Sequence, residues 1–63
     1  MQISLKAARI DAGLKQTDMA IKLDVNRKTI SSWESGQSMP TADKIDAICA
    51  VLGRNYDDIK WRG

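Results

Sequence analysis

Residues 16–35, QTDMAIKLDVNRKTISSWES, carry apolar positions that no single helix can satisfy, and this confines the stretch to two short helices joined by a tight turn. Met19, Ala20 and Leu23 recur at helical spacing, Asp24, Val25 and Asn26 interrupt, and Ile30 and Trp33 resume the inward face. Arg27, Lys28, Ser31 and Ser32 point elsewhere, so the second helix has one face for packing and another for contact. Two helices that cross steeply need a small residue where they meet, which Ala20 supplies, and a turn residue that tolerates a left-handed backbone. Asp24 holds that turn position; aspartate pays more than glycine there but is enriched among non-glycine residues with positive φ. Val25 then points inward. Asn26 suits the N-cap of the second helix, whose free amides favour anions such as a nucleic-acid phosphate.

The rest of the chain reads as helices around this pair. A first helix is predicted from about Ser4 to Ala12, with Leu5, Ala8 and Ala12 as its apolar stripe and Gly13 as its stop. The motif helices run Gln16 to Leu23 and Arg27 to Ser35, the latter closed by Gly36. After a loop at 37–40, Thr41 caps a fourth helix that reaches Leu52 and contributes Ile45, Ile48, Cys49 and Leu52 to the core. Asn55 followed by Asp58 signals a last short helix through Trp61, with Tyr56 and Ile59 as its apolar contacts. No strand pattern is apparent. The predicted class is all-α: a compact five-helix bundle in one domain spanning residues 1–63.

A chain of 63 residues buries only about 60% of the surface its unfolded form exposes, so modest stability is expected. One cysteine excludes an internal disulfide, and a reducing cytoplasm fits its place in an apolar row. The charge-free apolar stretch from Ala47 to Gly53 falls far short of the roughly 20 residues that span a bilayer, and the N-terminus lacks a signal-peptide pattern. No membrane role is expected. The chain has no histidine, no Gly-rich phosphate loop and no metal-ligand cluster, so neither catalysis, a metal, a cofactor nor a small-molecule ligand is expected. Asp57-Asp58 is a pair only in sequence, suited to a helix start. The net charge of +2 is uninformative by itself, but residues 1–36 hold six basic against four acidic residues and residues 37–63 hold four of each.

With these residues in view, the chain resembles the phage repressor and Cro-type helix-turn-helix family, also called XRE-like, over nearly its whole length. Leu5, Arg9, Ile10 and Gly13-Leu14 carry the likeness before the motif. Gln16, Met19, Ala20, Leu23, Val25, Ile30, Trp33-Glu34 and Gly36 carry it within, and Pro40, Ile45, Ile48 and Leu52-Gly53 after. Asp24 departs from the glycine common at that turn. The resemblance implies a lambda-repressor-like DNA-binding domain that places its third helix in the major groove, usually as a two-fold dimer on a palindromic operator. It also implies an ion pair between Arg9 and Glu34 that ties the first helix to the third, and a dimer surface from the end of the fourth helix through Gly53 to Arg62. Trp61 is expected to be half exposed there.

Arg27, Lys28, Ser31 and Ser32 are the candidate base contacts. Arginine grips guanine O6 and N7 with two hydrogen bonds, lysine reaches the same acceptors and serine pairs with several base edges. The same pattern also fits an ordinary solvated helix face. Gln16, Asn26, Thr29, Gln37, Ser38 and Lys15 are the candidate phosphate contacts. Gln16 opens a helix whose N-terminus can face a phosphate, although a neutral surface glutamine would look the same. The resulting reading is a cytoplasmic, sequence-specific regulator of double-stranded DNA, most simply a repressor that acts by occupying an operator as a homodimer. Two other readings are a DNA-binding antitoxin of a toxin-antitoxin pair and a protein-interaction module that has lost DNA. The chain reads either as a complete Cro-like protein or as a fragment of a longer repressor.

Overall fold

The computed structural model describes residues 1–61. In chain order it holds a strand β1 (Ile3–Ser4), helices α1 (Leu5–Asp11), α2 (Gln16–Leu23), α3 (Arg27–Ser35) and α4 (Ala42–Leu52), a single 3-10 turn (Tyr56–Asp58) and a strand β2 (Ile59–Lys60). The boundaries follow local chemistry. The Ser4 hydroxyl accepts the Ala7 amide at 3.0 Å and so caps α1, and the Asp18 carboxylate accepts the Lys15 amide at 2.8 Å at the start of α2. Thr41 stands at the N-cap of α4, but its hydroxyl donates to the Asp43 carboxylate at 2.7 Å, a bond that lowers the pKa of that carboxyl from its ordinary value.

The turn between α2 and α3 has the left-handed backbone its sequence predicts. Asp24 adopts φ 56° and ψ 49°, the one non-glycine residue with positive φ among those described, and the Val25 amide returns to the Ala20 carbonyl at 2.9 Å. The Leu23 carbonyl, left over where the helix ends, accepts the Lys44 ammonium of α4 at 2.8 Å. Thus α4 both closes the core and holds the end of α2. At the far end of α3, Gly36 (φ 83°) lets the Gln37 amide reach the Ser32 carbonyl at 3.0 Å.

The core gathers one face from each helix: Leu5 and Ala8, then Met19, Ala20 and Leu23, then Ile30 and Trp33, then Ile45, Ile48 and Leu52. Cys49 is half-buried at its margin, where burial first, and the carboxylates of Asp46 and Asp58 next, push the thiol pKa up and keep it protonated at neutral pH. Ala12 is exposed, one residue beyond the end of α1, and drops out of the expected stripe.

Two expectations need correction at the C-terminal end. Among the described residues there are four α-helices rather than five, because the last segment makes only one 3-10 turn and then pairs as a strand. Ile59 lies opposite Ile3 and Lys60 opposite Ser4 in a parallel ladder that joins the two ends of the chain. Ile59 is fully buried there, so burying an apolar residue against the N-terminal segment outweighs continuing a helix. Tyr56, expected as an apolar contact of the last helix, is 52% exposed, whereas Trp61, expected to be half exposed, is only 9% exposed. The two rings stack with centroids 5.8 Å apart, and the Trp61 indole donates to the Tyr56 carbonyl at 3.0 Å. Trp61 is therefore an internal contact that Tyr56 covers. Arg62, the last residue of the expected dimer surface, lies outside the described residues.

Asp24 combines a left-handed backbone with a negative charge at a helix C-terminus, and both are unfavourable. Asp24→Gly is expected to raise stability by about 1 kcal/mol, the relief exceeding the added freedom of the unfolded chain. Thermal melting should show a midpoint several degrees higher; an unchanged or lower midpoint would mean that Asp24 makes a compensating contact.

Candidate nucleic-acid interface

Helix α3 presents an outer face between two edges. Counting around the helix, Ile30 and Trp33 face the core, Lys28 and Ser35 lie farthest from it, Ser31 and Ser32 stand on either side of these, and Arg27 lies at the edge beyond Ser31. Arg27, Lys28, Ser31 and Ser35 are exposed, and Ser32 is half-buried. Ser35 was not among the expected contacts, although the same helical count places it beside Ser31.

Along the Arg27 edge runs a chain of charge-assisted hydrogen bonds. The Arg9 guanidinium of α1 donates through Nε to Glu34 Oε2 at 2.6 Å and through Nη2 to Oε1 at 3.3 Å, while its Nη1 donates to the Leu14 carbonyl at 2.8 Å. Gln16, at the start of α2, donates through Nε2 to Glu34 Oε1 at 3.1 Å. Its own Oε1 accepts Arg27 Nη1 at 3.2 Å. The side chains of Arg9 and Glu34 are 8% and 6% exposed, and no buried side-chain nitrogen or oxygen among the described residues lacks a partner. The pair thus connects α1, the loop after it and α3, and Gln16 carries the connection out to Arg27. Lys15 and Thr17 are exposed on this same flank, where they share an open concavity with Gln16 and Arg27.

The Ser32 edge is tied differently. The Ser38 hydroxyl donates to the Ser32 hydroxyl at 3.0 Å, and the Ser32 carbonyl accepts the Ser35 hydroxyl at 3.2 Å as well as the Gln37 amide. Ser32 therefore holds the loop after α3, and exposed Gln37 and Ser38 stand along this edge. Asn26 occupies the N-cap position of α3 with its side chain making no cap bond, so its amide stays available. Asn26 and half-buried Thr29 line a separate concavity with Ile21 and Asp24. They do not join the Gln16 and Arg27 cluster.

The arrangement suits a rod laid in a groove. A nine-residue helix is roughly 13 Å long, a B-DNA major groove is about 12 Å wide, and polar side chains flank α3 on both sides where the two backbone strands would run. A positive or amide-bearing group on each flank can fix register, leaving the outer face of α3 for base edges.

A family model described as Helix-turn-helix matches residues 5–59. The chain is also 44% identical over 39 residues to the 26 kDa repressor protein of Escherichia phage HK022, a match that covers 62% of this chain and 17% of that protein.

Removing either member of the buried pair strands the other charge, so Arg9→Ala and Glu34→Ala are each expected to cost about 3 kcal/mol. Replacing both together by methionine and leucine should cost less than either single change. Chemical denaturation measures this; two singles that melt like the parent would show that the pair contributes nothing.

Proposed function

This chain belongs to the helix-turn-helix family of phage repressors and Cro-type proteins, and from that premise we propose that it is a sequence-specific regulator of double-stranded DNA that acts as a repressor. Occupying an operator needs no chemistry, and a DNA-binding regulator rather than an enzyme is what the family and the similarity to a phage repressor support. The observation that carries the reading is the outer face of α3, where exposed Arg27, Lys28 and Ser31 stand between two polar flanks. Arg27 and Lys28 read guanine through O6 and N7, and Ser31 meets a neighbouring base edge. Ser32 supports the loop and reaches a base only with its hydroxyl proton. Gln16, Lys15 and the start of α2 hold one backbone strand, with Gln37 and Ser38 against the other, while Asn26 and Thr29 meet the backbone beyond the N-terminus of α3.

One such helix reads only a few base pairs, so specificity calls for two copies on a palindromic site, with recognition helices about 34 Å apart. Exposed Tyr56 and the segment after α4 offer a surface for that pairing. No helix among the described residues is long and apolar enough to cross a membrane, in keeping with a protein that reaches DNA in the cytoplasm.

Selection from random duplex DNA tests this. The expected outcome is a palindromic sequence bound at least ~10³-fold more tightly than a scrambled control, with Arg27→Ala losing about 1 to 3 kcal/mol and relaxing preference at one position of each half-site. Failure to enrich any sequence would contradict the proposal and favour a protein-interaction module.

A further inference from the structure

The formal charge of +2 conceals an uneven surface. Beside α3 lies an open concavity of about 740 Å³ formed by α1, the loop after it and the start of α2. Its nine lining residues include four basic ones, Lys6, Arg9, Lys15 and Arg27, and no acidic one. Ile10, 58% exposed, and half-buried Leu14 give it an apolar floor. A smaller recess of about 220 Å³ lies next to it, lined by Lys6, Gln16, Ser31, Glu34 and Ser35. Only Lys6 and Gln16 belong to both. By contrast, the concavity at the α2–α3 turn has Asp24 as its one charged residue.

Lys6 is thus the α1 residue that borders both the basic concavity and the outer face of α3. It is exposed, and among the described residues no carboxylate lies within 4 Å of its ammonium. Glu34 in the neighbouring recess is already engaged by Arg9 and Gln16. A free ammonium beside other cations is electrostatically unfavourable in isolation and becomes favourable when a polyanion lies across the surface.

We infer that Lys6 binds a DNA phosphate, so that the backbone strand along the Arg27 edge of α3 crosses α1 as well as the start of α2. The inference rests on the DNA-binding reading above and extends its footprint onto a helix outside the two-helix motif. The ammonium donates to a phosphodiester oxygen, and the Ile10 and Leu14 floor receives the apolar side of the adjoining deoxyribose. Such a contact adds affinity and register without reading sequence.

The test measures binding of the selected and scrambled duplexes over a range of salt for the parent, Lys6→Gln and Lys22→Gln. Lys22 is an exposed lysine of α2 that lines neither concavity, so its loss changes net charge equally. For Lys6→Gln the slope of log K against log salt should become shallower by about 0.9, with affinity roughly fivefold weaker at 0.15 M salt on both duplexes. Lys22→Gln should keep the parent slope. A folding defect would lower the amount of competent protein but not the slope. Equal slopes for the parent and Lys6→Gln, or an equal change in Lys22→Gln, would overturn the Lys6 contact while leaving sequence-specific binding untouched. Equal parent affinity for the two duplexes would instead overturn the regulator reading, and the slopes on the scrambled duplex would still decide Lys6.

Discussion

A carboxylate as enclosed as Glu34 is costly to desolvate unless its oxygens are fully engaged, and that requirement organises the protein around it. Arg9 meets it with two nitrogens and turns the third to the Leu14 carbonyl, so one guanidinium fixes the distance from α1 to α3 and the path of the chain between α1 and α2. Planar, forked geometry suits arginine to this and would not suit lysine. The hydrophobic core alone would let α1 slide against the motif, since apolar contacts have little directional preference. The ion pair supplies the direction.

The same carboxylate reaches the surface through Gln16. One amide both donates to Glu34 and accepts from Arg27, which holds the guanidinium of Arg27 in place in the free protein. Order already present in the free protein is order that binding need not impose. On the opposite edge Ser32 and Ser38 hold the following loop, so α3 is braced on both sides and its outer face carries few internal obligations. Lys44 plays the matching part within the motif, closing the end of α2 where Asp24 turns the chain.

Much of this was legible in the residues. The bounds of α2 and α3 follow from apolar spacing and from Asp24, Asn26 and Gly36, because caps and left-handed turns depend on a few neighbouring atoms. The two strands were not legible, since two residues are too few to show an alternating pattern and their pairing joins positions 56 residues apart in the register of Ile3 with Ile59. The exposures of Tyr56 and Trp61 differ from expectation for a related reason: the segment makes one 3-10 turn and then extends to pair with Ile3–Ser4 instead of continuing as a helix. At the interface, periodicity identified the outward residues of α3 but not that Ser32 turns to the loop, nor that Lys6 of α1 comes beside Gln16. Helical spacing describes one helix at a time, and these are relations between elements.

The measurement that tests the central claim most directly is a double-mutant cycle on DNA affinity between Glu34→Gln and Arg27→Ala, at a temperature where all four proteins are folded. If the buried carboxylate positions Arg27 through Gln16, the affinity lost on Glu34→Gln should largely vanish once Arg27 is alanine, a coupling of about 1 kcal/mol. Strictly additive losses would contradict the account and confine Glu34 to holding the fold together.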